Sequence, residues 1–180
     1  GEFQNGNLHG DGVESSSAAY FKGKFINGVK HGKGVMESEN EVYEGDFENG
    51  VKSGQGKIHF IKTNNYYEGQ FINGKIEGEG LFKWQNNDKY VGTFDNGVLN
   101  GKGIYHWNNG DVYTGTYING MRSGYGKLQN SNGKIYEGQF ENNLPHGKGV
   151  IIKEGKQSEV EFVNGVPVSS RKRTPKTPQL

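Results

Sequence analysis

One frame recurs along this chain and leaves room for few folds. It reads Tyr43-Glu-Gly45-Asp-Phe47-Glu-Asn49-Gly50 and closes with Gly54-Gln-Gly56. It returns at Tyr67, Tyr90, Tyr113 and Tyr136, and upstream at Phe21. Its first glycine falls at Gly23, Gly45, Gly69, Gly92, Gly115 and Gly138, in steps of 22, 24, 23, 23 and 23 residues. A period of this length marks an architecture in which each unit packs on its neighbours. Residues 1–12 hold the second half of one more frame, and six full frames run from about residue 21 to 157. A degenerate capping unit follows at 158–168, where Phe162-Val-Asn164-Gly165 keeps the turn and Val160 replaces the glycine.

Each unit reads as a β-hairpin. Tyr-x-Gly-x-Phe alternates, so both aromatics and the glycine share one face of a strand. Asn-Gly is a strong hairpin signal, because both turn residues must accept a positive φ. The spacing predicts a connection of about four residues, with Gly-x-Gly opening the return strand. Met36, Ile58, Phe82, Tyr105, Leu128 and Ile151 each lie two places after the second glycine, on the aromatic face. Asn86-Asn87-Asp88, Asn109-Gly110 and Asn132-Gly133 then turn the chain into the next unit. The whole predicts an all-β, elongated, single-layer antiparallel meander of tandem hairpins, with no helix longer than one turn before residue 168.

Composition removes several alternatives. The chain holds 31 Gly in 180 residues but only 4 Pro, which excludes collagen, and its 10 Tyr and 10 Phe argue against a flexible linker. A net charge of +1 argues against a nucleic-acid-binding domain. There is no Cys, hence no disulfide framework and no thiolate site. The paired glycines, such as Gly78/Gly80 and Gly101/Gly103, lack the following helix that a phosphate loop requires. No histidine has a partner at i, i+4, and no serine sits in a strand-to-helix elbow. No enzyme activity, cofactor or metal is therefore expected, and the expected compartment is the cytoplasm.

The frame resembles the MORN (membrane occupation and recognition nexus) repeat, whose consensus runs Tyr-x-Gly-x-Phe-x-Asn-Gly-x-x-His-Gly-x-Gly. His9, His31 and His146 occupy the consensus histidine, while Phe21, Tyr117 and Asn143 depart from the pattern. The resemblance covers residues 1–168 and implies a non-catalytic scaffold that binds a helix or extended segment of a protein partner. The settings it implies are cytoskeletal, ciliary or cortical assemblies. It also implies two alternatives: a phospholipid-binding module at the cytoplasmic face of a membrane, and the regulatory region of a larger enzyme.

One position breaks the repetition. Four places after the second glycine the residue is Ser38, Phe60, Trp84, Trp107, Asn130 or Lys153, so only the three central units carry a large aromatic there. Aromatics are enriched at binding hot spots, which makes Phe60, Trp84, Tyr105 and Trp107, with Tyr67, Tyr90 and Tyr113 beside them, the expected partner-binding surface. Residues 169–180 lose the repeat and are expected to be disordered. Arg171, Lys172, Arg173 and Lys176 there are the residues expected to touch anionic phospholipid if the membrane alternative holds. Gly1 enters the frame midway, so either further repeats before it or self-association through the array edge is expected.

Overall fold

The computed structural model describes residues 1–168, so Arg171, Lys172, Arg173 and Lys176 lie outside the described residues. The strands are β1 (Phe3–Gln4), β2 (Asn7–Leu8), β3 (Gly10–Ser15), β4 (Ala19–Ile26), β5 (Val29–Ser38) and β6 (Glu41–Glu48). Next come β7 (Val51–Phe60), β8 (Asn65–Ile72), β9 (Lys75–Lys83), β10 (Lys89–Asp95), β11 (Val98–His106) and β12 (Val112–Ile118). The last are β13 (Met121–Gln129), β14 (Ile135–Glu141), β15 (Leu144–Lys153), β16 (Lys156–Val163) and β17 (Val166–Pro167). Strands β3 to β17 form one 15-stranded sheet in strict sequence order, every neighbour antiparallel, and β1–β2 is a separate small hairpin. No helix occurs among the described residues. Fourteen inter-strand steps of about 4.8 Å give an array about 67 Å long before twist.

The hairpins are tighter than the spacing predicts. Ile26 pairs Val29 across a two-residue turn, in which Asn27 and Gly28 have φ of 51° and 80°. Positive φ at both residues is the turn whose twist matches the flanking strands, so the return strand resumes at once. In the last full unit Asn143 takes the glycine place at φ 72°, a conformation that asparagine tolerates. The Gly-x-Gly pair therefore lies inside the return strand. Gly23 pairs Gly34 while Lys24 pairs His31, which leaves Gly32 and Lys33 as a bulge with Gly32 at φ 64°. A bulge adds twist and re-aims the strand, and it explains why this glycine cannot be read as a turn residue.

The second glycine of each pair has a different role. Gly12, Gly23, Gly34, Gly45, Gly56, Gly69 and Gly80 pair in succession across the sheet. The series continues through Gly92, Gly103, Gly115, Gly126, Gly138 and Gly149 and stops at Val160. Tyrosine rings lie down on this ladder. A Cβ at Gly56 would stand 2.5 Å from the Tyr43 ring, so only glycine leaves the space. The phenol then reaches over the ladder, and Tyr43 Oη donates to the Asp46 carbonyl at 2.8 Å. Tyr67 and Tyr136 repeat the bond at 3.0 Å.

Laid flat, the tyrosines meet the phenylalanines of their own and the next unit. Tyr43 makes edge-to-face contacts with Phe47 at 5.1 Å and Phe71 at 5.0 Å. The zigzag continues through Tyr67–Phe94, Tyr90–Tyr117, Tyr113–Phe140 and Tyr136–Phe162. Each such pair contributes about 0.5–1.5 kcal/mol beyond the burial of its area. This is how a single layer acquires a core. Phe162 of the degenerate unit takes the final edge, where the glycine ladder ends. The opposite face carries exposed cross-strand pairs such as Lys57–Glu68 at 3.2 Å and Lys127–Glu137 at 3.0 Å, which contribute little in water.

Candidate functional site

The non-repeating position lies at the end of each return strand, where the chain turns into the next unit. Trp84 N–H donates to the Asp88 carbonyl, and Asn87 N–H donates back to the Trp84 carbonyl, both at 3.0 Å. Trp107, Asp111 and Gly110 repeat this closure at the same distances. The residue two places before Tyr67, Tyr90 and Tyr113 then ties one turn to the next. Asn65 Oδ1 accepts from Gln85 N–H at 3.0 Å, Asp88 Oδ1 from Asn108 N–H at 2.8 Å, and Asp111 Oδ1 from Ser131 N–H at 2.7 Å. These straps hold both tryptophans in fixed positions on the aromatic face.

The outcome is a continuous strip of rings across the three central units. Phe60 stacks near Phe82 at 6.0 Å, Phe82 meets Trp84 at 4.6 Å, Trp84 meets Tyr105 at 5.2 Å, and Tyr105 meets Trp107 at 4.6 Å. All five rings are partly buried against the core, with an edge left to solvent. Tyr105 donates its Oη proton to Asp88 Oδ2 at 3.0 Å. Burial raises the Tyr105 pKa above its ordinary value and the Asp88 carboxylate adds to the rise, so the phenol stays a donor. Arg122 closes one end, its guanidinium 5.4 Å from the Trp107 ring centroid and its Nη2 2.6 Å from the Asn143 carbonyl. At the other end a shallow depression is lined by Lys52, Phe60, Phe71 and Ile76.

The expected partner-binding residues divide into two groups. Phe60, Trp84, Tyr105 and Trp107 come together in the strip. Tyr67, Tyr90 and Tyr113 do not join it, since each is 0% exposed, with its ring laid over the glycine ladder and its hydroxyl bonded to backbone. They support the surface and present nothing to a partner, because the glycine ladder lets them lie flat. The sequence reading leaves Phe82 and Arg122 out of the site, along with Ile76 and Leu99. The last three share one signal. Two places after the turn glycine, or its Asn143 replacement, the chain carries Lys30, Lys52, Ile76, Leu99, Arg122 and Pro145. Lys30 and Lys52 lie over the rings of Phe21 and Tyr43. The central two units use Ile76 and Leu99 instead, so the apolar surface widens where the variable aromatics stand.

Comparison with known proteins agrees with this architecture. No curated protein matches the chain. Among solved structures it is similar to the SAS-4 (dCPAP) TCP domain of Drosophila melanogaster, solved in complex with a proline-rich motif of Ana2 (dSTIL). The TM-score is 0.51 at 9% identity, over 83% of this chain and 88% of that one, a likeness of fold. The MORN repeat model matches seven consecutive segments, at residues 1–17, 21–41, 43–62, 67–89, 90–112, 113–135 and 136–154. With the frame, the meander and these matches in agreement, the chain belongs to the MORN repeat family.

Proposed function

We propose that this array is a non-catalytic scaffold that captures a segment of a protein partner along its aromatic face, over the central three units. The observation that carries the reading is the strip Phe60–Phe82–Trp84–Tyr105–Trp107. The core aromatics recur in every unit and cannot mark one place, whereas this strip occurs once. Partly buried tryptophans held by fixed turns give large contact area at little further entropic cost. The Drosophila TCP domain, a sheet of similar fold, is solved with a peptide motif bound, which supports a sheet of this kind as a peptide receptor. The setting we assign is cytoplasmic, in a cytoskeletal, ciliary or cortical assembly, and it rests on the family.

The test compares the native array with Trp84→Ala and Trp107→Ala in capture from cell extract, followed by affinity measurement on the captured partner. Truncating an anchoring tryptophan costs about 2 kcal/mol or more, roughly thirtyfold in affinity. Each substitution is expected to weaken capture by that order with little change in melting temperature. A loss of several degrees with unchanged affinity would assign both rings to the core and reject the strip as a docking surface.

A further inference from the structure

The geometry points to a specific occupant for this strip, a basic, proline-rich segment in the polyproline II conformation lying along the array axis. The inference rests on the docking reading above and deepens it. Its first support is pitch. Phe60, Trp84 and Trp107 occupy equivalent places in successive units, and units advance by two strands, about 9.6 Å. A polyproline II helix repeats every three residues, about 9.3 Å. A ligand with a proline at every third residue would therefore set one ring on each aromatic in turn, drifting by less than about 1 Å over the strip. An extended strand returns to the same face every two residues, about 6.7 Å, and loses register after one unit. An α-helix returns after seven residues, about 10.5 Å, and drifts about three times faster than polyproline II.

Charge is the second support. Asp88 and Asp111 alternate with the tryptophans in the same row of the aromatic face. Their contacts are with neutral donors: Asn86, Tyr105 and Asn108 for Asp88, and Asn109, Asn130 and Ser131 for Asp111. Asp88 is 8% exposed and Asp111 is half-buried, so Asp111 is the carboxylate that a cation on a ligand can reach. Among the described residues neither takes part in a salt bridge, although carboxylates elsewhere on the sheet do. A lysine or arginine between the prolines would face Asp111, whereas Arg122 at the end of the strip disfavours a cation there. The backbone chemistry also fits, because polyproline II leaves its carbonyls unbonded and indole N–H groups are donors.

The protein offers a direct readout, because Trp84 and Trp107 are its 2 tryptophans. The intact chain is titrated with a synthetic nonapeptide of three Pro-Lys-Pro repeats, with the same peptide carrying glutamate in place of lysine, and with a lysine-bearing amphipathic helical peptide. The expected result is a saturable change in tryptophan emission with the Pro-Lys-Pro peptide. Affinity should be at least tenfold weaker for the glutamate twin and for the Trp107→Ala protein, and should fall as salt rises. Equal binding of the lysine and glutamate peptides would overturn the electrostatic part. Emission that responds to the helical peptide and not to the Pro-Lys-Pro peptide would overturn the inference. If capture from extract still depends on Trp84 and Trp107 in that case, the docking reading survives alone; if capture is also insensitive to them, both fall.

Discussion

The two glycines of one Gly-x-Gly answer to different physical constraints, and Gly124 and Gly126 show it. Gly124 has φ of 66° with open space where a Cβ would stand, so its constraint is conformational. At Gly126 a Cβ would lie 2.5 Å from Tyr113 Oη and 2.6 Å from Cε2, so its constraint is steric. Gly124→Ala is expected to cost about 1–2 kcal/mol, the penalty of a left-handed residue. Gly126→Ala is expected to cost about 3 kcal/mol, the upper range of overpacking, because Tyr113 is fully buried and has nowhere to move. Urea unfolding in a Tyr113→Leu background separates the two causes. The cost of Gly126→Ala should shrink there, while that of Gly124→Ala should stay additive. Equal costs in both backgrounds would reject the idea that the ladder exists to seat the tyrosines. The sequence displays both glycines but not this distinction. It depends on which residue of the next strand lies opposite, and the bulge sets that register. The same ignorance of register makes Tyr67, Tyr90 and Tyr113 resemble surface residues when read along the chain.

Hairpins were the most legible level. Asn-Gly with flanking alternation specifies the strands, their order and the aromatic face, all of which the structure contains. The straps between turns were not legible, because Asn65, Asp88 and Asp111 look like ordinary turn residues until the next unit is placed beside them. They have a measurable signature. The Ser131 N–H holds the Asp111 carboxyl below its ordinary pKa, and Asn109 and Asn130 add to the effect. A carboxyl depressed on folding contributes stability at pH values above its unfolded pKa of about 3.9. That contribution is lost as pH falls from there through the lowered folded value. The native protein is therefore expected to melt above Asp111→Asn at neutral pH, with the gap closing below about pH 4. A gap independent of pH would mean that the strap acts through shape alone.

At the scale of the whole molecule, each unit touches only its neighbours, so stability should be close to a sum of unit and interface terms. Period and register then permit a whole unit to be removed. Deleting residues 90–112 joins Lys89 to Tyr113, and deleting residues 113–135 joins Val112 to Tyr136. In the first case Gly80 meets Gly115 and Tyr117 replaces Phe94 against Tyr67; in the second Gly103 meets Gly138 and Phe140 replaces Tyr117 against Tyr90. The glycine ladder and the edge-to-face zigzag stay unbroken in both. The two deletions differ in what they take from the surface. The first removes Tyr105 and Trp107 and leaves three rings of the strip, whereas the second leaves all five rings and removes Arg122. Both shortened arrays are expected to keep an all-β circular dichroism spectrum and to melt cooperatively, a few degrees below the parent. Only the array lacking residues 90–112 should lose affinity for the partner or the Pro-Lys-Pro peptide, by at least tenfold, since one anchoring tryptophan carries at least that much. Unfolding of either array would show that the units are not additive. Equal binding by both would place the contact outside the strip.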